Sequence, residues 1–307
     1  MQKNIVITSG FKYLDIDAYA GCIVYREFVK SKGYQAKAIT TAPYNQSVSA
    51  LITDIDYAFD TLEDIEENSQ FVILDVSNPT MLDTFVKEEN IITIIDHHTG
   101  YEDYWEQKKN THPHIEFIGS ICTLIFEQIE QEEKLDILNP YLCQLMVAAI
   151  LDNTLNLKAT ITTSRDIRAY HTLLKIGNLD ASFADTYFLS CQNQIEKDLF
   201  TALKNDMKIA SFGDILPSVF GQLLVWNHDN ILTKVKEIES YFATYHKEWM
   251  LNIISLREGK SYILASSPNV QSHLEKLFQK SFQNNILILE PFMLRKEIIK
   301  QAQTDRK

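Results

Sequence analysis

The chain has 307 residues, of which 45% are hydrophobic and 23% charged, a composition typical of a globular protein with room for two cores. Its net charge of −12 excludes a general nucleic-acid-binding protein, because contact with a phosphate backbone requires a basic surface. The apolar runs end well short of the ~20 residues of a membrane-spanning helix, so no membrane association is expected.

The first half of the chain alternates between strand-like and helical patterns. This order is typical of βαβ units and predicts an α/β fold with a doubly wound, mainly parallel sheet. Beyond the last of these strands the pattern becomes helical. The predicted strands are residues 4–9, 35–41, 71–76, 90–95 and 115–118, and the predicted helices are residues 17–32, 47–56, 79–87, 120–131, 141–151, 164–174 and 181–188.

The apolar pattern lapses at residues 190–194, which predicts a boundary between domains at 1–190 and 191–307. The second domain is expected to be a smaller, mixed α/β domain that ends in a basic tail. Its predicted helices are residues 195–207, 231–245 and 272–282, and its predicted strands are residues 219–226, 248–256, 261–266 and 286–289.

Two further features indicate a cytoplasmic protein. The chain passes from Met1 directly into its first strand, without the apolar segment of a signal peptide. The four cysteines are widely spaced and include no CxxC pair, which is typical of buried thiols kept reduced in the cytoplasm.

The most informative segment is the apolar run at 91–95, which is followed by Asp96, His97 and His98. A β-branched run of this kind is typical of a buried parallel strand, and open α/β sheets bind ligands at the carboxyl ends of such strands. Carboxylate and imidazole together suit a divalent metal such as Mn²⁺ or Zn²⁺. A turn with two solvent-exposed histidines is the alternative interpretation of these three residues.

Further carboxylates stand at the ends of apolar elements in the same half of the chain. Asp15 and Asp17 follow the first strand, Asp75 follows the third, and Asp152 ends an apolar helix. Each also has a structural interpretation: Asp17 as a helix cap, Asp15 as a turn residue and Asp152 as an exposed helix terminus. Taken with the Asp-His-His segment, the four predict ligands that converge on one crevice, as in two-metal hydrolysis.

The order of these motifs resembles the DHH phosphoesterase superfamily, and within it the family II, manganese-dependent inorganic pyrophosphatases and their exopolyphosphatase relatives. Residues 119–123 are similar to the family's Gly-Ser-x-x-Thr helix start, and residues 152–166 to the segment after its fourth motif. In the second half, residues 206–208 and 294–296 are similar to motifs of a DHHA2-type C-terminal domain. The resemblance covers nearly the whole chain and implies an active site in the cleft between the domains.

The resemblance implies a hydrolase in which a metal-bridged hydroxide attacks pyrophosphate or polyphosphate. It implies one or two divalent ions, foremost Mn²⁺, with Mg²⁺ or Co²⁺ as alternatives, a small phosphorylated anionic substrate, and a homodimer. By position, the implied metal ligands are Asp15, Asp17, Asp75, His97 and Asp152, the implied catalytic residues are Asp96 and His98, and the implied substrate-binding residues are Lys208, Arg295 and Lys296.

Several positions depart from the family's pattern. Phe11 stands where the family has a metal-binding His, Leu14 replaces a Pro, and Leu294 replaces the Ser of a Ser-Arg-Lys motif. Residues 75–77 read Asp-Val-Ser rather than Asp-His-Asn. Two alternatives therefore stay open, a diverged enzyme with another substrate and a phosphate-binding regulatory protein without turnover. Cleavage of short oligonucleotides is a third, against which the net charge and the absence of a Gly-Gly-Gly-His motif both count.

Overall fold

The computed structural model describes residues 4–55 and 57–304, and the chain forms two compact units, Met1–Tyr187 and Phe188–Lys307. Among the described residues, no helix is long and apolar enough to cross a membrane. All four cysteines are buried and none forms a disulfide, as their spacing predicts.

The first unit contains the predicted parallel sheet. Its strands are β1 Asn4–Thr8, β2 Gln35–Ala38, β3 Gln70–Leu74, β4 Ile91–Asp96 and β5 His112–Ile115. They lie in the order β2-β1-β3-β4-β5, and every neighbouring pair is parallel. In a doubly wound sheet of this order the direction of winding reverses between β1 and β3, and ligands bind outside the carboxyl ends of these two strands.

Helices cover one side of this sheet. They are α1 Ile16–Ser31, α4 Ile121–Gln131, α5 Pro140–Asn153 and α6 Ser164–Ile176, and two shorter helices, α2 Ala50–Thr53 and α3 Glu102–Glu106, lie between β2 and β5 in the chain. Helix α5 packs between α1 and α6, while α1 and α4 contact the strands. Val6, Ile73 and Ile94 belong to a separate cluster with the buried ring of Trp105.

The predicted helix at 79–87 is wrong. Instead, 3₁₀ turns lie at Pro79–Met81 and Glu88–Asn90, with irregular chain between them. The side chain of Asn78 accepts a hydrogen bond of 3.0 Å from the backbone N–H of Thr80, a local bond that competes with helix formation. The apolar side chains of this stretch pack against the sheet from irregular chain; they are Leu82, Phe85 and Val86.

Two other predicted elements are shorter or displaced. The predicted strand at 115–118 lies three residues earlier, as β5. Pro113 is tolerated there because β5 is an edge strand, in which a residue without a backbone N–H need not remove a hydrogen bond from the sheet. The predicted helix at 47–56 is reduced to α2, and Asp56 lies outside the described residues.

The second unit has a mixed sheet. Its strands are β6 Met207–Ile209, β7 Val219–Val225, β8 Trp249–Ser255, β9 Lys260–Ala265 and β10 Ile286–Leu289, in the order β10-β9-β8-β7-β6. Strands β7 and β8 are parallel, and β8 and β9 form the predicted antiparallel hairpin. Leu251 and Met250 are successive residues of β8 and belong to different hydrophobic clusters, so each face of this sheet has its own core.

The helices that lead into and surround the second sheet differ most from the predictions. They are α7 Phe183–Lys197, α8 Leu199–Asn205, α9 Asp229–Thr233, α10 Val235–Ala243, α11 Pro268–Phe278 and α12 Arg295–Thr304. Helix α7 runs without a break through residues 190–194, so the lapse in apolar pattern does not end it. The expected single helix at 195–207 is divided at Asp198, which caps α8 by accepting the N–H of Thr201. The expected basic tail contains α12.

Candidate metal centre

A carboxylate follows each of the two strands, β1 and β3, between which the winding of the sheet reverses. Asp15 ends the loop after β1, and its Oδ1 caps α1 by accepting the backbone N–H groups of Asp17 (3.1 Å) and Ala18 (3.0 Å). Asp75 directly follows β3 in a left-handed conformation (φ 59°), and its side chain is 7% exposed. A left-handed non-glycine residue beside a ligand crevice is a form of strain that is common at functional sites.

Asp96 organises the turn at the end of β4. It is fully buried, and its Oδ1 accepts hydrogen bonds from the backbone N–H of His97 (2.8 Å), the backbone N–H of His98 (3.0 Å) and His98 Nδ1 (2.8 Å). Burial opposes ionisation of this carboxyl, but the bonds from His98 outweigh it and hold the pKa of Asp96 below its usual range. Asp96 therefore orients the turn that carries both histidines, and its role in catalysis stays a prediction.

His97 presents one nitrogen to Asp75. Its Nδ1 lies 3.0 Å from the carbonyl oxygen of Ile118, and its Nε2 lies 3.3 Å from Asp75 Oδ1. Because a carbonyl oxygen can only accept, Nδ1 carries a proton, and Nε2 is the nitrogen that would bind a metal once its own proton is displaced.

Donor atoms of Asp75, His97 and His98 lie within 4.8 Å of one another. Asp75 Oδ1 is buried and has no hydrogen-bond partner among the described residues, although His97 Nε2 lies 3.3 Å from it. An unpartnered buried carboxylate oxygen is costly unless a cation neutralises it. The donor set of carboxylate and imidazole therefore fits a divalent cation of intermediate hardness.

In the metal-free cluster, bound protons rather than a cation neutralise the buried carboxylates. Burial, reinforced by the charge of Asp15, raises the pKa of the Asp75 carboxyl to about 8 and that of Asp152 to about 7. Burial disfavours the charged imidazole of His97, but the Asp75 carboxylate outweighs this effect and raises the His97 pKa to about 10. Binding of a cation should displace these protons.

We expect the metal-free protein to lose stability as the pH rises from about 4 to about 8. Asp75 and Asp152 titrate near 4 in the unfolded chain and higher in the folded one, so the folded state binds more protons in this window and unfolding becomes easier with increasing pH. Urea unfolding with a chelator, at several pH values, measures the slope. Asp75→Asn should flatten it, and an unchanged slope in that variant would contradict the assignment.

Asp17 is directed at the start of α4. Its Oδ1 accepts hydrogen bonds from Ser120 Oγ (2.7 Å) and the N–H of Cys122 (3.2 Å), and its Oδ2 accepts the N–H of Ile121 (2.9 Å). Asp17 is thus a buried helix cap, although of a different helix from the one its sequence position suggested. A carboxylate accepts about four bonds, so one lone pair is left for a cation. Its role as a metal ligand stays a prediction.

Asp166 is a structural residue for which no individual role was predicted, although it ends the segment 152–166 that resembles the family. It is fully buried, and it accepts hydrogen bonds from the N–H of Gly119 (3.1 Å), Thr123 Oγ1 (2.7 Å) and the N–H of Thr163 (2.8 Å). A Cβ at Gly119 would lie 2.7 Å from Asp166 Oδ2, so only glycine fits there. Asp166 therefore holds the start of α4, which presents Ser120 to the metal centre.

A cavity of about 290 Å³ opens over this edge of the sheet. Asp15, Asp75, Asp96 and His98 line it, and Lys12 adds a cation. The His98 side chain is 66% exposed, and its contact with substrate stays a prediction. Phe11 is 45% exposed and offers no donor atom where the family has its histidine.

The predicted substrate-binding residues of the second unit lie in β6 (Lys208) and at the start of α12 (Arg295 and Lys296). The Arg295 guanidinium donates to the carbonyl oxygens of Asp206 (2.6 Å) and Phe220 (3.2 Å) and pairs with the Asp206 carboxylate. This ion pair links the motif at residues 206–208 to the motif at residues 294–296. Lys208 and Lys296 are exposed and form no ion pair among the described residues. Arg295 is thus largely engaged within its own unit, and the substrate-binding role of all three stays a prediction.

Residues 4–150 match the family model described as the DHH family, N-terminal domain. This part of the chain is similar to a DHH domain. Its sheet, its Asp-His-His turn and the crevice at β1 and β3 all belong to this domain. Along the whole chain, the manganese-dependent inorganic pyrophosphatase of Bacillus subtilis is 20% identical over 313 residues, with 99% of each protein covered. The predicted resemblance to the DHH superfamily is confirmed.

Two solved structures share the fold of the DHH domain and of the second unit. A Methanococcus jannaschii protein assigned to the family II inorganic pyrophosphatases has a TM-score of 0.62 and 18% identity, covering 97% of this chain and 99% of its own. An exopolyphosphatase-related protein from Bacteroides fragilis has a TM-score of 0.53 and 15% identity, covering 99% and 91%. The predicted α/β fold class is therefore confirmed.

Proposed function

We propose that this protein is a metal-dependent phosphohydrolase that cleaves pyrophosphate or a related phosphoanhydride such as polyphosphate. The observation that carries the proposal is the unpartnered Oδ1 of Asp75, which faces His97 Nε2 at the reversal point of a DHH domain. The relative from Bacillus subtilis, named as manganese-dependent, supports Mn²⁺ as the cation. Mg²⁺ and Co²⁺ are the alternatives.

Asp75 and His97 are the residues that would hold the cation, and Asp15, Asp17 and Asp152 are proposed to complete its ligands. When bound, the cation neutralises phosphate charge and lowers the pKa of water. His98 lies on the cavity wall with Nδ1 held by Asp96, which leaves Nε2 available. The bond to Asp96 raises the pKa of His98, so its imidazolium can donate a proton from Nε2 to a phosphate oxygen.

Positive charge in the second unit is proposed to bind the substrate. A guanidinium and two ammonium groups suit phosphate oxygens. Lys208 and Lys296 are exposed on neighbouring elements that the Asp206–Arg295 pair joins. We accordingly propose residues 1–190 as the DHH catalytic domain and residues 191–307 as a DHHA2-like substrate-binding domain.

We also propose a class of substrate, a cellular location and an oligomeric state. The net charge of −12 supports a small anionic substrate rather than a nucleic acid. The buried cysteines without disulfides support a cytoplasmic location. The homodimer rests on the family resemblance alone.

A second candidate is a phosphate ester that carries an organic group, the altered substrate of a diverged family member. Three side chains of the cavity wall favour it, because Tyr13, Val76 and Met81 offer apolar surface for which pyrophosphate has no use. A phosphate-binding protein without turnover is the remaining alternative, motivated by Phe11.

The test is a phosphate-release assay on the purified protein with Mn²⁺, Mg²⁺ or Co²⁺. Pyrophosphate, polyphosphate, 4-nitrophenyl phosphate (with its phenol release followed) and a dinucleotide are compared. The proposed function predicts metal-dependent turnover that is highest with a phosphoanhydride. Higher turnover of the aryl ester favours the second candidate, and binding without turnover of any substrate favours a regulatory protein.

We expect Phe11→His to bind Mn²⁺ more tightly and to turn over faster than the wild type, because it supplies the nitrogen donor that the family has at this position. Phe11 is 45% exposed, so the exchange should not disturb the core. Phe11→Gln, of similar polarity but a poor Mn²⁺ ligand, is the matched control. Equal Mn²⁺ affinity in the His and Gln variants would show that position 11 does not reach the cation.

A further inference from the structure

A chain of hydrogen-bond contacts links separate parts of the metal centre through Tyr187. The Tyr187 hydroxyl lies 3.0 Å from Asp152 Oδ1 and 3.0 Å from the carbonyl oxygen of Ser47. Ser47 Oγ accepts a hydrogen bond of 2.9 Å from the backbone N–H of Ile16, the residue between the two carboxylates at the start of α1. One phenol therefore lies between the end of α5 and the start of α1.

The position of Tyr187 suits a fixed orienting group. Its ring is fully buried, so the hydroxyl cannot swing into solvent. The hydroxyl has one proton and two acceptors within reach, and an ionised carboxylate is the stronger acceptor. With Asp152 ionised, as a metal ligand must be, the proton is donated to Asp152 Oδ1.

We propose that Tyr187 is a positioning residue of the metal centre, which orients Asp152 by donating its hydroxyl proton to Oδ1. The inference rests on the proposed metal-dependent function. Partners that orient metal ligands in this way typically change metal affinity by about 10- to 100-fold when they are removed. Tyr187 lies in α7, 35 residues beyond Asp152 in the chain, and no motif of the sequence includes it.

Isothermal titration of the full-length, metal-free protein with Mn²⁺ tests the proposal. Tyr187→Phe removes only the hydroxyl and should weaken Mn²⁺ binding by about 10- to 100-fold. Tyr25→Phe is the matched control, since Tyr25 is also buried in the first unit but its hydroxyl bonds to Gln128. The control should bind Mn²⁺ as the wild type does. Circular dichroism and the melting temperature show whether each variant folds.

A double-mutant cycle separates positioning from a general structural role. If Tyr187 acts through Asp152, Tyr187→Phe should have no further effect on Mn²⁺ affinity once Asp152→Ala is present. Equal losses in both backgrounds would overturn the proposal, as would unchanged Mn²⁺ affinity in Tyr187→Phe alone.

Metal binding is measured apart from turnover. The positioning role of Tyr187 and the proposed hydrolase activity can therefore be contradicted independently of each other. Weakened Mn²⁺ binding in Tyr187→Phe, with no phosphate release from any substrate by the wild type, would sustain the positioning role and overturn the hydrolase. Metal-dependent phosphate release with unaltered Mn²⁺ binding in Tyr187→Phe would do the reverse. Absence of Mn²⁺ binding to the wild type would overturn both.

Discussion

Asp75→Asn should abolish metal-dependent phosphate release while the protein remains folded. The asparagine keeps the shape of the side chain and tolerates the left-handed backbone (φ 59°), but it removes the charge that faces His97 Nε2. Loss of several kcal/mol of charge stabilisation by the cation corresponds to a decrease in kcat of about 10³-fold or more.

The stability of the Asp75→Asn variant distinguishes loss of a metal ligand from loss of the fold. Asp75 Oδ1 is an unpartnered buried oxygen, so the neutral amide should leave the free energy of unfolding of the metal-free protein unchanged or increase it at pH 8 and above. Steady-state phosphate release and urea unfolding measure the two properties. Asp103→Asn, an exposed carboxylate outside the cavity, is the control and should match the wild type in both. Activity within tenfold of the wild type in Asp75→Asn would place the centre elsewhere.

Asp166→Ala should cause a large loss of stability in the first unit. Removal of the carboxylate leaves the buried N–H of Gly119, the buried Thr123 hydroxyl and the half-buried N–H of Thr163 without their acceptor. Each orphaned buried donor costs about 1–3 kcal/mol, and part of this is recovered by relaxation, so we expect the free energy of unfolding to fall by about 3–5 kcal/mol.

Urea unfolding of the metal-free protein measures this loss. The exposed control Asp103→Ala should lie within about 0.5 kcal/mol of the wild type. Asp166→Asn tests the geometry, because an amide can accept only at its oxygen and would retain part of the bonds. A loss in Asp166→Ala no greater than in the control would show that Asp166 does not hold the start of α4.

The sequence predicted the central strands of the parallel sheet well because β1, β3 and β4 contain apolar runs. Residues 91–95 have no periodicity that a surface helix could use, and they form β4 in the interior. The same kind of pattern predicted the wrong structure for residues 79–87. The apolar residues of this stretch are spaced as in a helix, yet Asn78 and the turns around it hold irregular chain against the sheet.

The candidate ligands that directly follow a strand could be predicted from the sequence. The residues that support them from distant parts of the chain could not. Asp75, Asp96 and His97 stand at strand ends, and parallel strands bring such positions to one edge of the sheet. The support of the centre by Asp166 and Tyr187 depends on contacts across 47 and 35 residues. Neither spacing has a local pattern, so only the folded chain shows them.

A cation held between Asp75 and His97 is the central element of the proposed metal centre. Anomalous diffraction from crystals grown with Mn²⁺, recorded on both sides of the manganese absorption edge, locates that ion directly. We predict a manganese peak at coordination distance from an Asp75 carboxylate oxygen and from His97 Nε2. An ordered Asp75 and His97 with no manganese peak beside them, at a Mn²⁺ concentration that supports phosphate release, would contradict it.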